Sequence, residues 1–503
     1  MKTIILGPPG TGKTTTLLNL VDEFIRKGIK PIDIGYFSFS KKAANEAATR
    51  AAEKFNLDAR KDLIYFKTIH SLAFRMLGMS KERMMQEQDY KEFGIQCNIP
   101  IKVARHSEED GLFNSDNEYL TIINTARLKN IDLLDYYDSR KNLLDIERDT
   151  LFLLDQELKR FKKEKGLKDF TDLLEEVKVN KNLFPKFKVL FIDEAQDLSH
   201  LQWEIVKIMW DRTEKTYIAG DDDQAIFRWA GADIDRFIAL RHEVDEIKVL
   251  EQSYRIPGGP IHELSQKIAS RIKNRYPKKY KPRDETGILR YYSDITQVDM
   301  SKGDWLVLAS ANYFLEVVKE LCELQGWYYQ YKGVNSISMD LLLALTNWED
   351  FRNGSALNYL QIKNIYKYLG VNVTKNYRDG KTLKAEDKYI ISECKDKHGL
   401  LTDKVWYESF QGVDAITENY IRNMRANGEK ISKTPRILMS TIHAAKGGER
   451  EKVCILLDLT KSAVEQGEEH PDDLNRLLYT GITRTKKELH IVDPKDFRRS
   501  FVI

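Results

Sequence analysis

Short apolar runs recur along the chain at 34–39, 63–66, 188–193, 216–219, 247–250, 305–309, 437–441, 453–457 and 488–492, after a first run over Thr3–Leu6. Each is separated from the next by helix-patterned or loop-rich sequence, which is the rhythm of βα units. The first run ends in Gly7-Pro8-Pro9-Gly10-Thr11-Gly12-Lys13-Thr14, and behind it Leu17, Leu18, Leu20, Val21, Phe24 and Ile25 share one helical stripe. Strand, Gly-rich turn and helix form the opening unit of a parallel α/β sheet. The runs fall into two groups, before about residue 255 and after about residue 285, so two α/β cores are expected. Residues 80–180 and 340–430 break the rhythm, being charged, helix-patterned and nearly free of strand signals. They read as helical insertions, one in each core; the alternative, a pair of linkers, sits poorly with their Leu, Ile and aromatic content. The limits expected are a first core over 1–85 and 166–252 with an insertion at 86–165, then a second core over 253–345 and 431–503 with an insertion at 346–430.

Length changes this picture little: 503 residues carry a prior of three to four domains at roughly 150 residues each. Charge excludes more. Lys plus Arg is 80 and Asp plus Glu is 77, a net +3, so the chain is no histone-like polycation. A basic groove among acidic surfaces stays open, because local fields decide ligand capture. Nothing approaches the 18 consecutive apolar residues of a membrane span, and MKTIILGPPG lacks the build of a secretion signal. The dispersed Cys97, Cys322, Cys394 and Cys454 form neither a disulfide framework nor a zinc pair, and suit a reducing cytoplasm.

Gly7, Gly12, Lys13 and Thr14 satisfy Gly-x-x-x-x-Gly-Lys-[Ser/Thr]. Such a loop closes backbone N–H groups around phosphate oxygens, Lys13 reaches the β- and γ-phosphates, and Thr14 offers its hydroxyl to Mg²⁺. Pro8, Gly10, Thr11 and Thr15 complete the loop and the first helical turn. A chance Gly-rich turn is the alternative, made remote by a strand before it and a helix after it. ATP or GTP binding is expected. Val189-Leu190-Phe191-Ile192-Asp193-Glu194 is a buried strand ending in two carboxylates. Asp193 suits the Mg²⁺ shell, and Glu194 suits the deprotonation of an attacking water. A kinase needs no such base, so Glu194 favours hydrolysis over transfer.

Further motifs follow: Asp193-Glu194-Ala195-Gln196-Asp197, Gly220-Asp221-Asp222-Asp223-Gln224-Ala225-Ile226-Phe227-Arg228-Trp229-Ala230-Gly231-Ala232 and Leu250-Glu251-Gln252-Ser253-Tyr254-Arg255. Later come Ser440-Thr441-Ile442-His443-Ala444-Ala445-Lys446-Gly447-Gly448-Glu449 and Leu477-Leu478-Tyr479-Thr480-Gly481-Ile482-Thr483-Arg484. With the weaker Phe39-Ser40-Lys41-Lys42-Ala43-Ala44 and Thr68-Ile69-His70-Ser71-Leu72, this series resembles the UvrD/Rep-like DNA helicases of superfamily 1. The resemblance runs from residue 3 to about residue 492 and leaves both insertions unmatched. It implies an α/β fold of two RecA-like parallel-sheet P-loop cores, each with a helical insertion.

The resemblance also implies roles, residue by residue. Gln224 would sense the γ-phosphate or position the water, while Arg255 and Arg484 would act from the second core as arginine fingers. Tyr254 would stack on adenine, with a core tyrosine as the competing reading, and Glu449 would bond the ribose. Phe39, Phe227 and Trp229 match positions that stack on bases, as an enzyme moving along any sequence requires. For Phe39 a buried strand residue is the competing reading. Thr68, His70, Thr441 and His443 would contact phosphates and sugars. The activity implied is ATP- and Mg²⁺-dependent 3′ to 5′ movement on single-stranded DNA with unwinding at duplex/single-strand junctions. Stripping of bound proteins, or a DNA-stimulated switch without net unwinding, are the alternatives. A monomer acting in the cytoplasm with DNA, among replication or repair proteins and away from membranes, completes the expectation.

The chain also departs from the family's pattern. The segment that reads the adenine edge normally precedes the loop, which here begins at residue 7, so relaxed base selectivity is expected. Ala230 and Ser310 stand where an Arg is usual, and Gly448 where a Leu is usual. The run 271–283 has seven basic and no acidic residues, with Tyr276 and Tyr280 interleaved. It reads equally as a DNA-backbone track and as a solvated loop.

Overall fold

The computed structural model describes residues 1–101, 115–141, 144–375, 383–385, 387–429 and 434–503. Parts of both expected insertions, 102–114, 142–143, 376–382, 386 and 430, lie outside the described residues.

The strands in chain order are β1 (Lys2–Leu6), β2 (Ile34–Ser38), β3 (Phe66–Lys67), β4 (Val189–Asp193), β5 (Lys215–Gly220), β6 (Glu246–Val249), β7 (Gln252–Gly258), β8 (Lys281–Thr286) and β9 (Ile288–Tyr292). They continue as β10 (Trp305–Ala309), β11 (Tyr329–Tyr331), β12 (Val334–Asn335), β13 (Leu357–Asn358), β14 (Lys388–Tyr389), β15 (Ile437–Thr441), β16 (Arg450–Leu456) and β17 (Thr485–Val492). One sheet has six strands in the order β3-β2-β4-β5-β1-β6, and another has seven in the order β12-β11-β15-β10-β16-β17-β9. Neighbouring strands of the six-stranded sheet pair in parallel. Its central strands are buried on both faces, which is why they appear as continuous apolar runs rather than alternating ones. Two sheets, split where the apolar runs split, bear out the expected α/β class with parallel cores.

Two compact units are seen: Met1–Ile288 with Leu459–Lys487 and Arg499–Ile503, and Leu289–Asp458 with Glu488–Arg498. The first contains β7 and β8, a parallel pair interrupted by bulges. The expected limit at 252/253 follows chain order, whereas the units follow contacts, so the two divisions describe different things.

Helices Glu87–Gln96, Glu118–Lys129, Leu133–Asp138, Arg148–Lys165 and Phe170–Val179 fill the first strand-poor interval. They bury their own cluster around Phe93, Ile123, Leu151 and Phe161. An ion network ties them together: Arg127 donates to Asp169 (2.8 Å), Asp172 (2.6 Å) and Glu175 (2.7 Å), and Lys162 Nζ to Asp169 (2.6 Å) and Asp172 (2.7 Å). Asp169 and Asp172 also form the capping box of helix Phe170–Val179. Though burial opposes it, Arg127 and Lys162 hold the Asp169 carboxyl well below the usual carboxylate range. In the second unit, helices Met339–Arg352, Tyr359–Tyr368, Ile391–Lys397, Trp406–Ser409 and Ala415–Ala426 occupy the other interval, beside the short pair β13–β14. No helix among the described residues is long and apolar enough to cross a membrane.

Candidate functional site

Strand β1 ends at Leu6, which pairs with Gly220 at the end of β5, while Asp193 at the end of β4 pairs with Ser38 at the end of β2. The carboxyl ends of these four strands therefore share one edge, where ligands of parallel sheets bind. Behind β1 the loop turns through Gly10 and Gly12, both left-handed at φ 72° and 80°, into helix Lys13–Arg26. Only glycine fits two of its positions. A Cβ on Gly7 would lie 1.9 Å from Lys13 Cγ, and one on Gly10 2.3 Å from Arg255 Cβ. Lys13 folds back over the loop, donating to the Gly7 carbonyl at 2.9 Å, with its Nζ 3.9 Å from Glu194 Oε1. Pro8 is buried and its carbonyl accepts from Thr11 Oγ1 at 2.8 Å, which closes the loop on itself. Thr15 is exposed and accepts from Arg50 at 2.8 Å.

Thr14 Oγ1 donates to Asp193 Oδ2 at 2.8 Å. Tyr36 donates to the same oxygen at 2.8 Å, and the Glu194 N–H donates to Oδ1 at 3.0 Å. Burial, then the neighbouring Glu194, pushes the Asp193 carboxyl up to about 6. A hydroxyl and a carboxylate in contact, both hard oxygen donors, fit a partly hydrated Mg²⁺. Glu194 takes a left-handed backbone (φ 51°, ψ 41°), an uncommon conformation for a non-glycine residue and one that clusters at working sites. Its Oε2 accepts from Gln196 Nε2 at 2.7 Å. Gln196 also accepts from the Asp221 N–H at 3.0 Å, so this fully buried amide links the ends of β4 and β5. Its position two residues beyond Glu194 lies in the motif, but the bridging role is visible only once the ends of β4 and β5 lie side by side.

Gln224 hangs from a short 3₁₀ turn behind β5, its amide nitrogen donating to Asp221 Oδ2 at 2.5 Å and its Oε1 accepting from Arg484 Nη2. Arg484 is buried and donates from Nε to the Thr480 carbonyl at 3.0 Å. Asp221, Asp222 and Asp223 beside it are all buried, an arrangement that costs heavily unless cations answer it. Lys278 Nζ, itself buried, lies 3.2 Å from Asp221 and 3.0 Å from Asp223 and also pairs with Asp222. Arg275 forks onto Asp223, and Arg476 donates to the Asp222 carbonyl at 2.9 Å. Burial pushes Asp223 up to about 6 against the pull of Lys278, while Lys278, despite its own burial, is raised by the three carboxylates. For Arg275 and Lys278 the basic run is thus neither a track nor a solvated loop, and Tyr276 and Tyr280 are buried with them.

Strand β7 runs against the loop: Ser253 Oγ donates to the Pro9 carbonyl (2.7 Å) and the Tyr254 N–H to the Gly10 carbonyl (2.8 Å). Tyr254 is 72% exposed, so it is not a core residue. Arg255 is half-buried, with Nη1 3.5 Å from the Thr483 carbonyl. Arg255 and Arg484 lie in the compact unit that holds the loop.

Of the three aromatics expected to stack on bases, Trp229 is the open one, at 42% exposure. Phe39 and Phe227 are buried and stack on each other, centroids 5.5 Å apart at 24°. Thr68 is buried and caps helix Ile69–Met76, accepting from the Ser71 N–H at 3.1 Å. His70 is buried edge-on to Phe170, and burial lowers its pKa from 6.5 to about 4. Its Nδ1 has no hydrogen-bond partner among the described residues. In the second unit, Thr441 at the end of β15 accepts from the Ala444 N–H at 3.2 Å, and His443 and Glu449 are half-buried in the turns that follow. Ser310 donates to the Asp458 carbonyl at 2.7 Å.

Comparison with known proteins agrees with this layout. The UvrD/REP helicase N-terminal domain matches residues 1–245, and the UvrD-like helicase C-terminal domain matches residues 437–492. The ATP-dependent DNA helicase Rep of Buchnera aphidicola subsp. Baizongia pistaciae is 25% identical over 278 residues, 51% of this chain and 39% of that protein. The ATP-dependent DNA helicase PcrA of Staphylococcus epidermidis is 26% identical over 316 residues, 59% of this chain and 42% of that protein. The matched region is therefore about two fifths of the length of these curated relatives. Two domain matches in the right order, on a fold whose loop, paired carboxylates and glutamine share one sheet edge, leave one conclusion: the chain belongs to the UvrD/Rep-like helicases of superfamily 1.

Proposed function

We propose that this chain is an ATP-dependent DNA helicase that moves 3′ to 5′ on single-stranded DNA and separates duplexes at junctions. The observation that carries the reading is the grouping of Lys13, Thr14, Asp193, Glu194, Gln224 and Arg484 at one edge of a parallel sheet. The backbone N–H groups of the loop and the start of helix Lys13–Arg26 hold the phosphates, with Lys13 released from Gly7 toward them. Thr14 and Asp193 would hold Mg²⁺, which would supply charge neutralisation of the phosphates. Glu194 takes a proton from water. The hydroxide attacks the γ-phosphorus in line, the bond to the β–γ bridging oxygen breaks, and ADP leaves with that electron pair. Gln224 orients the water, and Arg484 and Arg255 stabilise the charge spreading over the γ-phosphoryl oxygens. Tyr254, exposed beside the loop, stacks on the base, with Glu449 assigned to the ribose.

For DNA, Trp229 is the stacking platform best supported by exposure, with Phe227 tilted beside it at 6.4 Å and Phe39 stacked on Phe227. Thr68, His70, Thr441 and His443 are assigned to the backbone by likeness to the family. The domain limits given by the motif order, action as a monomer and a cytoplasmic setting with DNA belong to the same proposal. The test is ATP turnover with and without single-stranded DNA, run beside strand separation on duplexes with a 3′ or a 5′ tail. Turnover that ignores DNA, or unwinding from the 5′ tail alone, rejects the reading.

A further inference from the structure

We propose that Tyr36 is a positioning residue for Asp193, holding that carboxylate in the orientation that receives the divalent cation; this rests on the nucleotide reading above. Strand β2 lies directly beside β4, with Tyr36 paired to Phe191 two positions before Asp193. The Tyr36 ring is fully buried, stacked on Phe66 (5.1 Å, 9°) and beside Phe191 (6.1 Å, 29°). Packing on both sides leaves the ring one position, and from it the hydroxyl reaches Asp193 Oδ2 at 2.8 Å. A phenylalanine would fill the same space without a polar atom to satisfy, and an unpaired buried hydroxyl is costly. The hydroxyl therefore has its purpose in Asp193.

The other donors on Asp193 differ in kind. Thr14 Oγ1 shares Oδ2, and the Glu194 N–H holds Oδ1. Thr14 is the residue whose hydroxyl the nucleotide reading gives to the cation, so its bond to Asp193 is the one that can be exchanged. Tyr36, locked between aromatic rings and too deep to be a ligand, then keeps the carboxylate from rotating. Removing such a supporting hydrogen bond lowers metal affinity while leaving the ligand in place.

The experiment measures the dissociation constant of ADP by calorimetry, with Mg²⁺ and in EDTA, for the full chain, Tyr36→Phe and Asp193→Asn. In Tyr36→Phe the strengthening of ADP binding by Mg²⁺ is expected to fall about tenfold. The metal-free constant is expected to stay unchanged, which also shows that the fold is kept. If Tyr36→Phe retains the full Mg²⁺ effect while Asp193→Asn loses it, the proposal is overturned and the nucleotide reading stands. If Asp193→Asn retains the Mg²⁺ effect as well, Asp193 is not the cation's carboxylate and both fall.

Discussion

Arg484 donates through Nη2 to the side-chain oxygen of Gln224, although 260 residues separate them in the chain. Gln224 is held at its other end by Asp221, so its amide is fixed in both rotation and flip. Arg484→Lys keeps a charge but loses the fork that reaches Gln224 and Thr480 together. Turnover on saturating single-stranded DNA is expected to fall by about 10³-fold, the usual worth of an arginine finger. Nucleotide affinity should change far less. Full-rate hydrolysis in this variant would remove Arg484 from the chemistry.

On the proposed mechanism, substitutions at Lys13 and Glu194 are expected to separate nucleotide binding from hydrolysis. Lys13→Ala is expected to lose nucleotide-driven activity altogether. Glu194→Gln should still bind ATP, since it removes only the group that takes the proton. Single-turnover hydrolysis beside ATP binding checks the pair, and unmodified hydrolysis in Glu194→Gln would reassign the base.

Lys278 answers three buried carboxylates. Lys278→Met leaves Asp221 and Asp222 without this cation and Asp223 with Arg275 alone, and is expected to cost about 3–5 kcal/mol, the usual penalty for breaking a buried ion pair. Its exposed neighbour gives the control: Lys279→Met should stay within about 0.5 kcal/mol of the unmodified chain. Urea denaturation of the two variants decides, and equal midpoints would mean the cluster is solvated in solution.

Trp229 and Phe227 make a contrast between exposure and burial. Trp229→Ala should weaken single-strand binding by about 1–3 kcal/mol and leave the melting temperature nearly unchanged. Phe227→Ala should lower stability first, by about 3–5 kcal/mol if its site does not collapse. Unchanged DNA affinity in Trp229→Ala would return the indole to a structural role.

His70 sets a pH dependence. Its folded pKa of about 4 lies below the ordinary 6.5, so the unfolded chain binds the proton more readily between those values. Stability from the neutral, buried ring is whole above about pH 6.5 and is lost as the pH falls through about 4, amounting to about 3 kcal/mol. Thermal melts of the unmodified chain and His70→Asn across that window should converge at the acid end. Parallel curves would show that His70 titrates normally.

Much of this was readable in the chain. The buried strands of the six-stranded sheet are apolar on both faces, so Thr3–Leu6, 188–193 and 216–219 show in sequence as they stand in the sheet. The phosphate loop was legible because its left-handed turns at Gly10 and Gly12 favour glycine and a Cβ on Gly7 would run into the Lys13 side chain. Strands β7 and β8 were not, because Gln252-Ser253-Tyr254-Arg255 and Lys281-Pro282-Arg283-Asp284 alternate in no apolar pattern and pair through bulges. Lys278 was hidden for a related reason: a basic residue in a basic run looks solvated until its acidic partners, more than fifty positions away, are brought beside it. Tyr36 reads as core from its neighbours, and its hydroxyl becomes significant only when β2 is laid against β4.

The stitching of Pro9 to Ser253, of Gly10 to Tyr254, and the Gly10–Arg255 contact too tight for a methyl group, make loop and strand one stiff part. A shift of the loop is then expected to pass directly to β7 through these backbone contacts. On the proposed nucleotide reading, Tyr254 and Arg255 are expected to move with the loop, which would join recognition of the base to alignment of the guanidinium.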